Sequence, residues 1–111
     1  MKWIRVTQAD NIPVRQGRSV KLGSYELAIF NLGGGFRAVE SRCPHRGGPL
    51  ADGIVAGDDI ICPLHNWRVS LDSGMVRLPN SEEACVRTFD TKVVEGIVMV
   101  LLPAEQQEAA A

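Results

Sequence analysis

Cys43-Pro44-His45-Arg46-Gly47-Gly48 and Cys62-Pro63-Leu64-His65-Asn66-Trp67 are the two stretches on which the reading of this sequence turns. Each sets a proline directly after its cysteine and follows with a histidine. Sixteen residues separate His45 from Cys62, and the chain's two histidines both lie in these stretches. Proline fixes the chain direction beside each cysteine and removes a competing N–H donor. Gly47-Gly48 lets backbone N–H groups come close to sulfur. Four side chains of metal-ligating type thus sit in two matched loops.

A 2Fe–2S unit has two irons with two terminal positions each, so it needs four ligands, the number that these two thiolates and two imidazoles supply. Cysteines on one iron and histidines on the other leave the second iron with neutral donors, which raises its potential over an all-thiolate site. The added electron is then expected on the histidine-bound iron. A Cys₂His₂ zinc site uses the same donors and stays open as an alternative. Its usual spacings are wider than Cys-x-His, and the sixteen-residue gap is not the finger arrangement. The remaining alternative, four unrelated core residues, would require both histidines to fall beside matched Cys-Pro pairs by chance.

The rest of the sequence fits a small protein built around those loops. At 111 residues it is long enough for one modest core. A hydrophobic share of 45% with 23% charged residues is ordinary for a globular chain. A net charge of −1 argues against a nucleic-acid binder, which would be basic over much of its surface. No apolar run approaches the roughly 20 residues that span a bilayer, and Met1–Arg5 alternates rather than forming a secretory apolar stretch. A cytoplasmic protein is expected. Three cysteines, an odd number, suit metal ligation with Cys85 left over better than a disulfide framework.

Working outward, short β-rich segments are punctuated by glycine and proline. Strands are expected at 3–6, 20–22, 26–31, 36–40, 59–61, 75–78, 86–91, 93–94 and 97–101. Turns are expected at Gly33-Gly34-Gly35, at Asp72-Ser73-Gly74 and at the two-residue hairpin Glu95-Gly96. Residues 7–11 read as a single helical turn capped by Thr7. Many short strands at this spacing mean a sandwich or small barrel. The tail, residues 104–111, favours helix by composition but is too short to hold one alone.

Cys-x-His, a gap in the mid-teens and Cys-x₂-His resemble the Rieske ligand signature, and the resemblance runs from Trp3 to Leu102. It implies an all-β, Rieske-like fold of three small antiparallel sheets with a two-loop cluster-binding subdomain. It also implies one 2Fe–2S cluster held by Cys43, His45, Cys62 and His65. The domain is expected over residues 1–103, with the cluster-binding subdomain at about 41–79. Arg77-Leu78-Pro79 resembles the proline-containing third loop that covers the cluster. Within the family, the stretches beginning at Cys43 and Cys62 look most like small subunits of assimilatory NAD(P)H-dependent nitrite reductases. That likeness implies a large partner subunit carrying FAD, a 4Fe–4S cluster and sirohaem, where nitrite becomes ammonia. A free-standing ferredoxin serving a ring-hydroxylating oxygenase, and a structural or sensing metal module, are the alternatives. Respiratory members carry a disulfide between the loops, where this chain has Gly48 and Leu64. They also carry a serine and a tyrosine whose hydroxyls reach the cluster sulfurs, where this chain has Trp67 and Val69.

The expected function is one-electron transfer, with no catalytic residue in this chain. No histidine is left for a mononuclear iron of the two-histidine, one-carboxylate kind. No Gly-x-Gly-x-x-Gly or Walker pattern follows a strand, which puts nicotinamide and flavin sites on another chain. Trp67 reads either as a shield between cluster and water or as an apolar anchor. Cys85 reads as a buried strand residue, and Trp3 as core. Arg42, Arg46 and Arg68 lie in or beside loops that contain no acid. They read either as a solvated rim or as a docking face for an acidic partner.

Overall fold

Antiparallel pairing organises the whole of the computed structural model, which describes residues 1–42, 48–64, 66–78 and 81–103, with backbone alone at 78 and 81–85. Strands β1 (Lys2–Gln8), β12 (Ile97–Leu102) and β11 (Thr91–Val94) form one sheet in the order β1-β12-β11. A second sheet contains β2 (Gly17–Leu22), β3 (Tyr25–Asn31), β4 (Phe36–Glu40) and β10 (Thr88–Phe89), in the order β10-β4-β3-β2. The third runs in chain order through β5 (Ile54–Ala56), β6 (Asp59–Ile61), β7 (Arg68–Ser70), β8 (Met75–Leu78) and β9 (Ser81–Cys85). Single 3₁₀ turns lie at Ala9–Asn11 and Leu50–Asp52.

The third sheet is inserted between β4 and β10 of the second. The chain leaves after Glu40 and returns at Thr88, which pairs with Val39. The crossing is closed by Glu40 N–H donating to the Arg87 carbonyl at 3.0 Å. In return, Arg87 N–H donates to Glu40 Oε1 at 2.7 Å.

β3 explains how three small sheets make one body. Its run Leu27-Ala28-Ile29-Phe30 is wholly apolar because both faces are covered, as in strands of doubly buried sheets. Leu27 and Ile29 face Val98, Val100 and Phe89 of the first and second sheets. Ala28 and Phe30 face Leu50, Val55, Ile60, Val69 and Val76, so the inserted sheet rests on the back of β3. Gly17 lies over the Phe30 ring, where an added Cβ would stand 2.6 Å from it.

The turns follow their residues. Glu95 and Gly96 both have positive φ, 52° and 78°, the pattern that joins two strands with matching twist. In the Leu71–Gly74 turn, the Ser70 hydroxyl accepts from Asp72 N–H and Ser73 N–H at 3.2 and 3.1 Å.

Several expectations need correction. Thr7 does not cap a turn: the 3₁₀ turn begins at Ala9, after Gln8, with no side-chain cap. The Thr7 hydroxyl instead accepts from the Asn11 side-chain amide at 2.9 Å. The segment 86–91 is not one strand, because Asp90 marks the passage from the second sheet to the first, its carbonyl accepting from Leu101 N–H. Trp3 is half-buried rather than core. The Lys92 ammonium stands 4.2 Å from its ring centroid, and both line a cleft of about 470 Å³ with Phe36 and Phe89. Strands β5, β7 and β9 were not expected; β5 and β7 span three residues each, too few to show an alternation. Cys85 ends β9, opposite Met75, and its side chain lies outside the described residues, as does the tail at 104–111.

Candidate metal centre

The second loop is the tip of the β6–β7 hairpin. Ile61 pairs with Arg68, and above that rung Cys62 N–H donates to the Trp67 carbonyl at 2.7 Å, closing the neck. Asn66 takes φ +57°, a conformation asparagine tolerates better than most residues. Inside the loop, Leu64 N–H points at Cys62 Sγ, 3.4 Å away. Cys62 is 1% exposed and belongs to the same buried cluster as Leu50, Ile60 and Val69.

The first loop is bracketed by the bridge between Arg42 and Pro49 and by Leu50 N–H donating to the Ser41 carbonyl at 2.9 Å. Its last residue, Gly48, is packed against the second loop. A Cβ there would lie 2.8 Å from Cys62 Sγ and 3.1 Å from Leu64, so only glycine fits. The two loops therefore meet at the Cys62 sulfur. Gly48 and Leu64, which match the disulfide positions of the respiratory members, are in contact here. Of the four expected ligands, Cys62 is among the described residues; Cys43, His45 and His65 lie outside them.

What is described at Cys62 fits an iron–sulfur ligand. Its sulfur is buried and has a peptide N–H aimed at it, and such contacts to a ligating sulfur tune cluster potential. Trp67 is half-buried and packs against the buried group of residues that contains Cys62, which fits its reading as an apolar anchor.

Two of the loop arginines have acidic partners on neighbouring strands. Arg68 Nε donates to Asp59 Oδ2 at 2.7 Å, and Arg42 lies 3.9 Å from Glu26. The loops carry no acid themselves, but neighbouring strands β6 and β3 bring acids to them. Arg46 and Pro79 lie outside the described residues. Arg77, read as part of the third loop, donates from Nε to Asp59 Oδ1 at 2.8 Å. Sequence reasoning missed Asp59. Its one visible mark is a carboxylate within a short strand of isoleucines.

Comparison with known proteins places this geometry. The model of the Rieske [2Fe-2S] domain matches residues 2–97. Ferredoxin CarAc of Metapseudomonas resinovorans is 33% identical over 101 residues, covering 88% of this chain and 92% of that protein. Nitrite reductase [NAD(P)H] of Emericella nidulans is 30% identical over 98% of this chain, which corresponds to 11% of that protein. The chain likewise spans 28% of the length of the 4beta-methylsterol monooxygenase of Methylococcus capsulatus, at 31% identity. The proposed small subunit of an NADH-dependent nitrite reductase from Mycobacterium tuberculosis superposes with a TM-score of 0.84 at 24% identity. That match covers 93% of this chain and 96% of the other, and speaks to fold. The sheets and the thiolate loop define an iron–sulfur electron-transfer domain. The chain belongs to the Rieske [2Fe-2S] family and carries one 2Fe–2S cluster.

Its potential is expected in the lower half of the family range. Rieske centres span roughly −150 to +300 mV, and hydroxyl donors to sulfur push upward by stabilising the reduced, more negative cluster. Trp67 and Val69 offer no hydroxyl, and Val69 is fully buried between Ile60 and Val76. Val69→Tyr brings a hydroxyl into the buried cluster that contains Cys62 and is expected to raise the potential. It also overfills the core, at about 1–3 kcal/mol of stability. Protein-film voltammetry checks the potential and urea titration the stability; a strongly positive potential in the unmodified protein would contradict the reasoning.

Proposed function

We propose that this chain is the electron-transfer small subunit of an NAD(P)H-dependent nitrite reductase, with its cluster ligated by Cys43, His45, Cys62 and His65. The single observation that supports the ligand set is the buried Cys62 sulfur, met by Leu64 N–H and by Gly48 of the other loop. The cluster supplies one place where a single electron resides between donor and acceptor. The chain's own residues hold the Cys62 sulfur, close the loop neck at Trp67 and exclude water with Leu50, Ile60 and Val69. Reduction of nitrite to ammonia then takes place on a large subunit bearing FAD, a 4Fe–4S cluster and sirohaem. A cytoplasmic setting follows from that role, and no helix among the described residues is long and apolar enough to cross a membrane.

The nitrite reductase reading is supported by the two loop sequences and by a 30% match running over 98% of the chain. A second reading, a free-standing ferredoxin feeding a ring-hydroxylating oxygenase, is favoured by the match that spans 92% of Ferredoxin CarAc. Affinity purification of the tagged chain from its own host decides between them. Sirohaem absorbance co-eluting with nitrite-dependent NAD(P)H oxidation supports the first reading. An eluted oxygenase with mononuclear iron and no sirohaem overturns it in favour of the second.

A further inference from the structure

A buried carboxylate outside the expected ligand set links the strands beneath the Cys62 loop. The Asp59 side chain is 9% exposed. Its two oxygens are divided between two guanidinium groups, Oδ2 taking Arg68 Nε at 2.7 Å and Oδ1 taking Arg77 Nε at 2.8 Å. Val55, Ile60, Val69 and Val76 occupy the inner face of the inserted sheet, against β3. Alternation puts Asp59 and Arg68 on the other face, where the arginines cover the carboxylate. A buried carboxylate is tolerated only when its partners replace the water it has lost.

The three residues lie on three successive strands. Asp59 is on β6, which runs into Cys62. Arg68 begins β7, where the chain leaves the loop after Trp67. Arg77 is on β8, which continues to Leu78. The β7–β8 register shifts between Arg68 and Val69, so the backbone ladder is interrupted at this junction. The Asp59–Arg77 pair spans that irregularity and ties β8 to both legs of the hairpin.

We propose that Asp59 is a positioning residue of the cluster site, holding both legs of the Cys62 hairpin and strand β8 in register through Arg68 and Arg77. This rests on the reading that the Cys62 loop ligates the cluster. Two cations around one anion leave a net positive charge beneath that loop. Reduction adds negative charge to the cluster, so the sign of this local charge bears on its potential. Removing the carboxylate makes the site more positive and favours the reduced form; removing one guanidinium does the reverse.

The test uses the cluster-loaded chain and three substitutions besides Cys62→Ser. Asp59→Asn and Arg77→Met are each expected to speed chelator-driven bleaching of the visible absorbance by about tenfold or more, the usual cost of losing support to a ligand. Their potentials should move in opposite directions, up for Asp59→Asn and down for Arg77→Met. Leu27→Ala, buried on the far side of β3, reports the bleaching that lost stability alone produces and should leave the potential unchanged. The inference is overturned if both charge variants bleach no faster than Leu27→Ala, or if their potentials stay at the parent value. Should Asp59→Asn fail to fold, Arg77→Met carries the comparison. A Cys62→Ser protein that kept its colour would instead overturn the ligand reading and this inference with it.

Discussion

Cys62→Ser is expected to yield a protein with no brown colour, no reduced-state EPR signal and no stoichiometric iron. The reason lies in what surrounds the sulfur. It is almost wholly buried, accepts one peptide N–H and is backed by a glycine whose missing Cβ makes room for it. A serine oxygen is harder, forms shorter metal bonds and keeps its proton at neutral pH, so it supplies neither the charge nor the reach of a thiolate. On the proposed ligand set, the cysteine-bound iron would then keep Cys43 as its one protein ligand. His45→Ala is expected to give the same outcome, whereas Cys85→Ser should retain colour, signal and iron. Iron analysis with EPR on all three proteins checks the assignment. Loss of the cluster in Cys85→Ser, with retention in Cys62→Ser, would show that the ligand set is wrong.

The other large effect is expected at Phe30. Its ring is fully buried between β3 and the inserted sheet, in one cluster with Leu50, Ile60, Cys62, Leu71 and Val76. Phe30→Ala removes the largest fully buried side chain among the described residues and leaves a cavity the strands cannot close, since Gly17 contributes no side chain to fill it. Such truncations cost about 3–5 kcal/mol. Small domains have only about 5–15 kcal/mol in total, so the variant should unfold at far lower denaturant. Val14→Ala, at a position 56% exposed, should change stability by less than about 0.5 kcal/mol. Urea titrations followed by tryptophan fluorescence compare them. A Phe30→Ala midpoint as close to the parent as that of Val14→Ala would mean that the inserted sheet does not depend on this contact.

Where the sequence was readable, a local rule and a three-dimensional requirement coincided. Glu95-Gly96 reads as a hairpin because both residues must take positive φ, and they do. The two Cys-Pro loops read as parts of one site because their chemistry repeats within six residues, and Gly48 packs against Cys62, while Cys43, His45 and His65 lie outside the described residues. The unread features depend on partners distant in sequence. Nothing near Trp3 announces that Lys92 will lie over its ring, so an aromatic in an alternating strand reads as core. Three-residue strands such as Arg68–Ser70 exist only because neighbours on both sides supply the ladder. The loop arginines looked uncompensated because their acids, Glu26 and Asp59, lie on other strands and become neighbours only through antiparallel register.

The paired exit and entry of the inserted sheet bear on how such a chain can change over time. Glu40 and Arg87 hold each other by two hydrogen bonds, and Val39 faces Thr88 across the next rung. Both ends of the ligand-bearing segment are therefore anchored side by side, whatever lies between them. Lengthening a segment already closed in this way is cheap, since each doubling of a flexible loop costs only about 0.6 kcal/mol. The host sheets need not be redrawn when that segment grows, shrinks or is exchanged for another. One constraint travels with it: the replacement must still present apolar side chains to Phe30. Redox potential and choice of partner can thus diversify on one side of β3 while the scaffold on the other side stays as it is.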